Sequence, residues 1–396
     1  MHRAWVIVIL CAMVVGSCLG LARFAFGMLL PGISADVGLD YAQGGLLGTS
    51  YFIGYLVMVL AVPRIVRAVG QRTMILAGLL VLIIGMVGMA CVSRFEPLLI
   101  LYTLTGMGAG GAYVPAMSLA SSWFEASHRG RAAGTMLAGA GIGIVLSGLL
   151  VPALVPHNGF AGWQVGWLLF AAIAAVTLVL CLIGLRDRPV EVGLQPYGTR
   201  ARPPAAGAAP PRRGWLMLLH LGVIYACYGV TYMVYTTFIV TTMIDERGLD
   251  AAQAGQVWSI VGFCSIFSGA LFGGLSDRIG RRGGLMASSL AQALAFALVA
   301  GSFGEVALFA SVVCFGISAW SVPTIMAAAA GDHVGPERAA GALAVITLMF
   351  AAGQAIGPVG AGALAEMTGR FGPGFAAAAA IAILAVALSA LLPARR

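Results

Sequence analysis

Long apolar segments alternate with short polar turns along almost the whole chain. Each segment holds about 20 residues or more, the length that an α-helix needs to cross the hydrocarbon core of a bilayer. The segments cover residues 5–30, 43–62, 73–92, 97–122, 131–155, 163–185, 215–243, 252–275, 284–302, 305–330, 339–365 and 374–393. This pattern predicts an all-α polytopic membrane protein with twelve transmembrane helices, numbered here as spans 1 to 12.

The composition agrees with this class, since 60% of the residues are hydrophobic and only 9% are charged. The formal net charge of +8 comes from arginine, which falls mainly in the termini and in alternate connections. By the positive-inside rule those connections are cytoplasmic, so both termini are expected in the cytoplasm. The arginines therefore indicate topology and no nucleic-acid partner. We expect a multi-pass protein of a bacterial inner (plasma) membrane.

The two halves of the chain resemble each other. Residues 38–45 match residues 248–255 at an offset of 210 positions, and residues 70–72 match residues 280–282 at the same offset. Such a repeat predicts two pseudo-symmetric six-helix bundles in the same orientation. The N-terminal bundle is expected over residues 1–185, an unstructured cytoplasmic linker rich in proline and arginine over 186–214, and the C-terminal bundle over 215–396.

Two aspartates in the repeated segments begin predicted helices. Asp40 and Asp250 are each followed by a glutamine three residues later. This spacing is typical of a capping box, in which each side chain bonds the backbone N–H of the other residue. We therefore expect these aspartates to cap helices and to carry no chemistry.

Span 1 places one arginine, Arg23, deep inside an apolar sequence. An arginine at this depth is stable where it faces the interior of a bundle or an aqueous cavity and meets a negative group. At α-helical spacing, Arg23 shares a face with Gly16, Gly20 and Gly27, and glycines at such spacing let another helix approach closely. We predict that Arg23 points inward and anchors an anion. The alternative is a structural arginine bonded to carbonyls of broken helices or to a neighbouring side chain.

The turn after span 8 reads Gly-Gly-Leu-Ser-Asp-Arg-Ile-Gly-Arg-Arg over residues 273–282. It resembles the signature of the major facilitator superfamily, which lies between helices 2 and 3 and recurs between helices 8 and 9. Together with the twelve spans and the 6+6 repeat, the resemblance covers the whole chain. It implies a secondary transporter that works by alternating access around a central site lined mainly by spans 1, 4, 7 and 10.

The same resemblance implies a charge network that holds the cytoplasmic side shut. The residues that match its positions, and are therefore predicted to act in gating, are Asp277, Arg278, Arg281 and Arg282. For the last two arginines the alternative is a role in topology alone. The first-half copy departs from the signature at Pro63, Arg67 and Ala68, where glycine, aspartate and arginine are usual.

Span 7 has four tyrosines on one continuous helical face. Facing lipid, their hydroxyls would be buried without partners, so we predict that they face the central cavity. The offset of 210 pairs Arg23 with Met233, which places the phenols at the depth of Arg23. A guanidinium and phenols together suit a carboxylate. The predicted substrate-binding residues are Arg23, these four tyrosines (Tyr225, Tyr228, Tyr232 and Tyr235), Tyr113 on span 4, Trp320 on span 10 and Gln354 on span 11. For Tyr113 and Trp320 the alternative is packing.

We therefore predict a transporter of a small organic anion such as a monocarboxylate. All fourteen acidic residues lie at helix ends or in loops, so no span offers a carboxylate as an internal proton relay. The coupling partner, a proton or a counter-substrate, is left open, as are exchange and uniport. The alternative function is drug or metabolite efflux, and a remoter one is a non-transporting sensor on a carrier scaffold.

An enzyme is not expected, because the chain lacks the His-Glu-x-x-His, Gly-x-Ser-x-Gly and phosphate-loop patterns. The seven cysteines form no Cys-x-x-Cys pair and lie in apolar segments, which indicates neither a metal site nor disulfides. We expect no cofactor. The expected partners are the small-molecule substrate and the lipid bilayer, with the protein itself a monomer.

Overall fold

A computed structural model describes residues 2–154, 161–198, 214–301, 303–334 and 339–393. Two segments within these ranges are π-helical, Gly16–Phe24 and Thr242–Glu246. The α-helices of these ranges are α1 (Arg3–Val15), α2 (Phe26–Val37), α3 (Tyr41–Val69), α4 (Gln71–Ala90), α5 (Phe95–Trp123), α6 (Ala126–Leu150), α7 (Gly162–Gly184), α8 (Gly214–Thr241), α9 (Ala251–Ala300), α10 (Glu305–Ser318), α11 (Ser321–Val334), α12 (Ala339–Thr368) and α13 (Gly372–Ala390).

Eleven helical stretches in the described ranges are long and apolar enough to cross a membrane. One of them, α9, has 50 residues. At 1.5 Å per residue it measures about 75 Å, more than twice the ~30 Å of a hydrocarbon core. It is kinked at Gly280, where φ is +83°. Helix α9 therefore contains spans 8 and 9, the eleven stretches account for all twelve spans, and the predicted fold class is confirmed.

The repeat in the sequence recurs in the backbone. Gly38 and Gly248 have φ of +74° and +67°, and Gly70 and Gly280 have φ of +85° and +83°. The members of each pair are 210 residues apart. Positive φ at these four turns is a conformation that glycine adopts without strain, so the matched glycines have the same structural task in both halves.

The two predicted capping boxes are confirmed. The N–H of Gln43 donates to Asp40 Oδ1 at 2.6 Å, and the N–H of Asp40 donates to Gln43 Oε1 at 3.2 Å. The corresponding distances between Gln253 and Asp250 are 2.8 and 3.0 Å. Both pairs satisfy N–H groups that a helix start leaves without intrahelical partners.

The chain divides into two compact units. Unit 1 consists of Met1–Leu39, Ser50–Pro203 and Leu249–Gly262, and unit 2 of Asp40–Thr49, Pro204–Gly248 and Phe263–Arg396. Helices α3 and α9 therefore each contribute to both units. The predicted bundles over residues 1–185 and 215–396 stay a prediction.

Glycines bring helices into backbone contact within each unit. In unit 1, Gly139 of α6 lies against the carbonyl of Ala12 in α1. In unit 2, Gly353 and Gly357 of α12 lie against the carbonyls of Ala226 and Val230 in α8. Membrane helices commonly associate through such small-residue surfaces, because close backbones gain van der Waals contact that lipid does not replace.

The beginning of the predicted linker is folded against unit 1. Asp187 Oδ1 accepts a hydrogen bond from the backbone N–H of Arg72 at 2.6 Å, at the first turn of α4. Tyr197 donates its N–H to the carbonyl of Trp123 at 2.9 Å and accepts from the N–H of Glu125 at 3.0 Å. The expectation of an unstructured connection is therefore wrong for residues 186–198, because the ends of α4 and α5 offer backbone groups that need partners. Residues 199–213 lie outside the described ranges.

Replacing Asp187 with alanine is expected to destabilise unit 1 by about 1 kcal/mol, since a carboxylate that caps a helix start contributes about that much. Thermal unfolding of the detergent-purified protein measures the loss. Glu191→Ala is the control, because within the described part of the chain Glu191 accepts a hydrogen bond from the N–H of Arg188 in its own short turn. Equal effects of the two changes would contradict a capping role for Asp187.

Candidate anion site

Arg23 lies near the end of the π-helical segment Gly16–Phe24, which joins α1 to α2. In a π-helix each N–H bonds the carbonyl five residues earlier, and the N–H of Ala25 makes such a bond to the carbonyl of Gly20 at 3.0 Å. Short π segments inside α-helices occur frequently at functional sites. The π-helical backbone around Arg23 therefore makes this segment a candidate for a functional site.

The π segment changes the face on which Arg23 lies. A π turn holds about one residue more than an α turn. Arg23, seven residues after Gly16, therefore lies roughly a third of a turn away from the position that an α-helix would give it. Gly16 and Gly20 pack on Gly139 and Gly143 of α6. The guanidinium of Arg23 lies instead over a ring of α3. The predicted shared face is therefore wrong, because it assumed α-helical spacing.

Two aromatic rings contact the guanidinium of Arg23. Its central carbon lies 4.5 Å from the ring centroid of Phe52 and 5.0 Å from that of Phe24. Both phenylalanines are buried. A cation over a ring face is attracted by the ring quadrupole, and the attraction grows when water is excluded. These rings hold the half-buried arginine within unit 1.

Tyr51 on α3 and Tyr102 on α5 bond the backbone of the segment that carries Arg23, and Tyr113 lies further along α5. Tyr113 was among the residues predicted from the sequence, and unit 1 brings it to the Arg23 region. Its ring lies 6.4 Å from that of Tyr55, which in turn stacks on Tyr51 at 6.5 Å. The arginine is thus surrounded by aromatic groups, several of which carry a hydroxyl.

Tyr51, Phe52 and Tyr102 are site residues that sequence reasoning missed. Tyr51 donates its hydroxyl to the carbonyl of Cys18 at 2.7 Å, and Tyr102 donates to the carbonyl of Ala22 at 3.0 Å. A signal for Tyr51 exists in the sequence, since Tyr51 and Tyr55 share one face of span 2. The argument that turned the tyrosines of span 7 inward applies to this pair as well.

In unit 2, the four predicted tyrosines of α8 are all buried. Tyr225 stacks on Phe350 at 4.3 Å, and Tyr235 stacks on Phe315 at 3.9 Å. The hydroxyl of Tyr235 shares a hydrogen bond with Ser311 Oγ at 2.9 Å. The hydroxyl of Tyr228 donates to the carbonyl of Ala319. Both hydroxyls have hydrogen-bond partners within the protein, so contacts inside unit 2 explain the presence of a tyrosine at these two positions.

Trp320 and Gln354 also belong to unit 2. Trp320 lies between α10 and α11, and its ring centroid is 5.9 Å from that of Tyr232. Gln354 on α12 is 1% exposed, and its side-chain nitrogen has no hydrogen-bond partner among the described residues. Most buried polar side chains have a partner, so this amide requires an explanation. Arg23 and these residues lie in different units, and the expectation that they share a cavity stays a prediction.

The predicted gating residues lie on α9, near Gly280. Arg281 Nη1 and Asp277 Oδ1 form a salt bridge of 2.6 Å across the kink at Gly280, and Ser276 Oγ accepts a second bond from the same nitrogen at 3.2 Å. The side chain of Asp277 is 67% exposed. Such an exposed pair contributes little to stability by itself. The gating role of these two residues, and of Arg278 and Arg282, stays a prediction.

Residues 13–390 match the family described as "Uncharacterised MFS-type transporter YbfB". Two curated proteins are similar over nearly the whole chain. A protein of Agrobacterium vitis named putative tartrate transporter is 27% identical over 401 residues, which cover 94% of this chain and 86% of that protein. The hexuronate transporter of Bacillus subtilis (strain 168) is 24% identical over 383 residues, which cover 92% of this chain and 89% of that protein.

The fold also matches a solved structure. The crystal structure of a bacterial homolog to the human lysosomal transporter Spinster, in an inward-facing and unoccupied conformation, superimposes with a TM-score of 0.78. The match covers 99% of this chain and 97% of that chain at 16% sequence identity. At this identity the likeness concerns the fold alone.

Proposed function

Because the chain belongs to the YbfB family of MFS-type transporters, we propose that it carries a small organic anion and that Arg23 binds the anion's carboxylate. The chain is a multi-pass membrane transporter and not an enzyme. The observation that carries the proposal is the guanidinium of Arg23, held over the rings of Phe24 and Phe52 inside unit 1. Arginine inside a membrane segment generally marks a pathway for substrate or ions.

The ring contacts support carboxylate binding in particular. A guanidinium can lie over aromatic rings and still donate hydrogen bonds, because its N–H donors lie in the plane of the group. A carboxylate binds along that plane, through two parallel hydrogen bonds. Tyr113 lies in the same unit as Arg23, and its hydroxyl is proposed as a further donor for the anion. We assign Arg23 as the anchor and Tyr113 as a supporting contact.

The names of two relatives support a carboxylate cargo, since tartrate and hexuronate are both hydroxylated carboxylates. They differ in charge, because tartrate carries two carboxylates and hexuronate carries one. Arg23 is the one arginine that the sequence places deep inside an apolar span. One such cation within the membrane suits one carboxylate, because a second anion there without a partner would be costly. We therefore propose a monocarboxylate.

Within unit 2, Gln354 is the side chain that best fits a ligand contact. Its amide nitrogen is buried and has no hydrogen-bond partner among the described residues. A substrate hydroxyl or carbonyl would accept the hydrogen bond that this group has available. Tyr232 and Trp320 are proposed as aromatic contacts. For Tyr225, Tyr228 and Tyr235 the stacking and hydrogen bonds described above favour packing over substrate binding.

Transport is proposed to proceed by alternating access, with Asp277, Arg278, Arg281 and Arg282 acting in the cytoplasmic gate. We propose that the protein lies in a bacterial inner membrane with both termini in the cytoplasm, because the arginine-rich connections obey the positive-inside rule in that orientation. We also propose that it is a monomer. The spans hold no internal acid, so coupling to a proton requires the bound carboxylate or an acid at a helix end. Exchange with a counter-substrate requires neither.

Uptake into liposomes containing the purified protein tests the proposal. The panel pairs each monocarboxylate with its neutral primary amide and adds tartrate and a lipophilic cation. We expect the carboxylate to compete for uptake about tenfold or more better than its amide, because a charge-assisted pair is stronger than a neutral hydrogen bond. Equal competition by the amide, or transport of the lipophilic cation, would favour the efflux alternative. Binding without flux would indicate a sensor.

A further inference from the structure

The π segment that carries Arg23 is held by hydroxyl groups from two other helices. The carbonyls of Cys18 and Ala22 both lie in this segment, and both residues are fully buried. Tyr51 of α3 donates to the first at 2.7 Å and Tyr102 of α5 donates to the second at 3.0 Å. A carbonyl oxygen has two lone pairs, so each of these carbonyls can accept a hydrogen bond from a phenol beside one from a backbone N–H. The two phenols therefore tie the π segment to α3 and α5.

We propose that Tyr51 and Tyr102 are positioning residues that maintain the π segment and thereby set the direction of Arg23. The two hydrogen bonds fix the carbonyls of Cys18 and Ala22 at the positions that they take in the π form. A change to the α form would move these carbonyls relative to α3 and α5 and break the bonds, so the phenols stabilise the π form. A change to the α form would rotate Arg23 by roughly a third of a turn and take the guanidinium away from Phe52.

The packing of the segment agrees with this role. Gly20 lies so close to α6 that a Cβ built on it would be 2.6 Å from the Cα of Gly143. Tyr51 and Tyr102 have side chains that are 1% exposed, and their rings are 5.2 Å apart. Helices α3, α5 and α6 therefore hold the segment together. The inference rests on the proposed function, since it concerns the anchor of the anion, and it assigns two further residues that determine affinity for a carboxylate.

The test compares Tyr51→Phe, Tyr102→Phe and the control Tyr197→Phe in liposome uptake of a monocarboxylate identified with the wild type. Each of the first two changes should raise KM by about tenfold, as expected for the loss of one buried hydrogen bond, and leave the maximal rate within about twofold. Tyr197 lies against His2 and Trp5, away from the π segment, and its change should alter neither value. A lower maximal rate with an unchanged KM would overturn the proposal.

The same changes in an Arg23→Lys background separate positioning from a general loss of structure. Lysine presents a point charge on a flexible stem, so its affinity for an anion depends less on direction. The effect of either tyrosine change on KM should therefore shrink to less than about threefold. An undiminished effect would overturn the positioning role. If Arg23→Gln lowers the affinity and neither tyrosine change does, the positioning role of the tyrosines is contradicted and the proposed function stands. If Arg23→Gln binds the anion like the wild type, the proposed role of Arg23 as the anchor is itself contradicted.

Discussion

Replacing Arg23 with glutamine is expected to lower the affinity for the transported anion by roughly ten- to a hundredfold, since hydrogen bonds to charged groups contribute about 1.5–3 kcal/mol. Glutamine keeps a hydrogen-bond donor and loses the charge and the two-pronged geometry. Arg23→Lys keeps the charge and should lose roughly tenfold, because lysine cannot bind a carboxylate through two parallel bonds. Initial uptake rates over a range of substrate concentrations measure both effects.

Arg247 offers a matched control for this experiment. Its guanidinium donates to the carbonyls of Val299 at 2.9 Å and Gly301 at 2.7 Å, at the end of α9. Arg247 is thus a structural arginine bonded to backbone carbonyls, which is the role that the alternative hypothesis gives to Arg23. Arg247→Gln should lower thermal stability and leave anion affinity unchanged. If Arg23→Gln behaves in the same way, Arg23 is structural and the anchor role is contradicted.

A methyl group at Gly139 is expected to destabilise the protein by about 1–3 kcal/mol or more, as overpacking of a close contact does. A Cβ built on Gly139 would lie 2.0 Å from the carbonyl oxygen of Ala12. That atom belongs to the backbone of α1 and moves only if the helix moves. Gly139→Ala should therefore separate α1 from α6 and shift the π segment that follows α1. Thermal unfolding in detergent measures the lost stability, and uptake measures the effect on the site.

Gly134→Ala on the same helix is the control. Nothing lies within 4 Å of a Cβ built there, and the position is exposed. In an exposed helix interior alanine is favoured over glycine by up to about 1 kcal/mol in water, so this change should be neutral or slightly stabilising. If both substitutions shift the melting temperature equally, the close contact between α1 and α6 does not contribute as described.

The spans and the repeat could be predicted because they depend on properties local in sequence. Length and hydropathy define a membrane helix, and the spacing of Asp40 and Gln43 defines a capping box without reference to the rest of the chain. The docking of Asp187 and Tyr197 could not be predicted in this way. Each binds backbone groups at least 70 residues away, at the ends of α4 and α5. The proline-rich composition of the linker gives no sign of these partners.

The candidate site also has one feature that the local sequence reveals and others that depend on contacts between helices. Arg23 was found because a charge in an apolar span conflicts with its surroundings, whatever the neighbouring helices are. The π segment was missed, since Tyr51 and Tyr102, which bind two of its carbonyls, come from other helices. Phe52 was missed for the same reason, because its contact with the guanidinium exists only once α3 has packed on span 1. Local α-helical spacing could not reveal either feature.

Thermal stabilisation by ligand is the most direct test of the central claim, that a carboxylate binds at Arg23. The purified wild type, Arg23→Gln and Arg247→Gln are heated with a panel of small carboxylates and their neutral amides. A ligand present at about 100 times its dissociation constant stabilises the folded state by about 2.7 kcal/mol. We expect that at least one monocarboxylate raises the melting temperature of the wild type and of Arg247→Gln but not of Arg23→Gln. Equal stabilisation of all three, or none by any carboxylate, would contradict it.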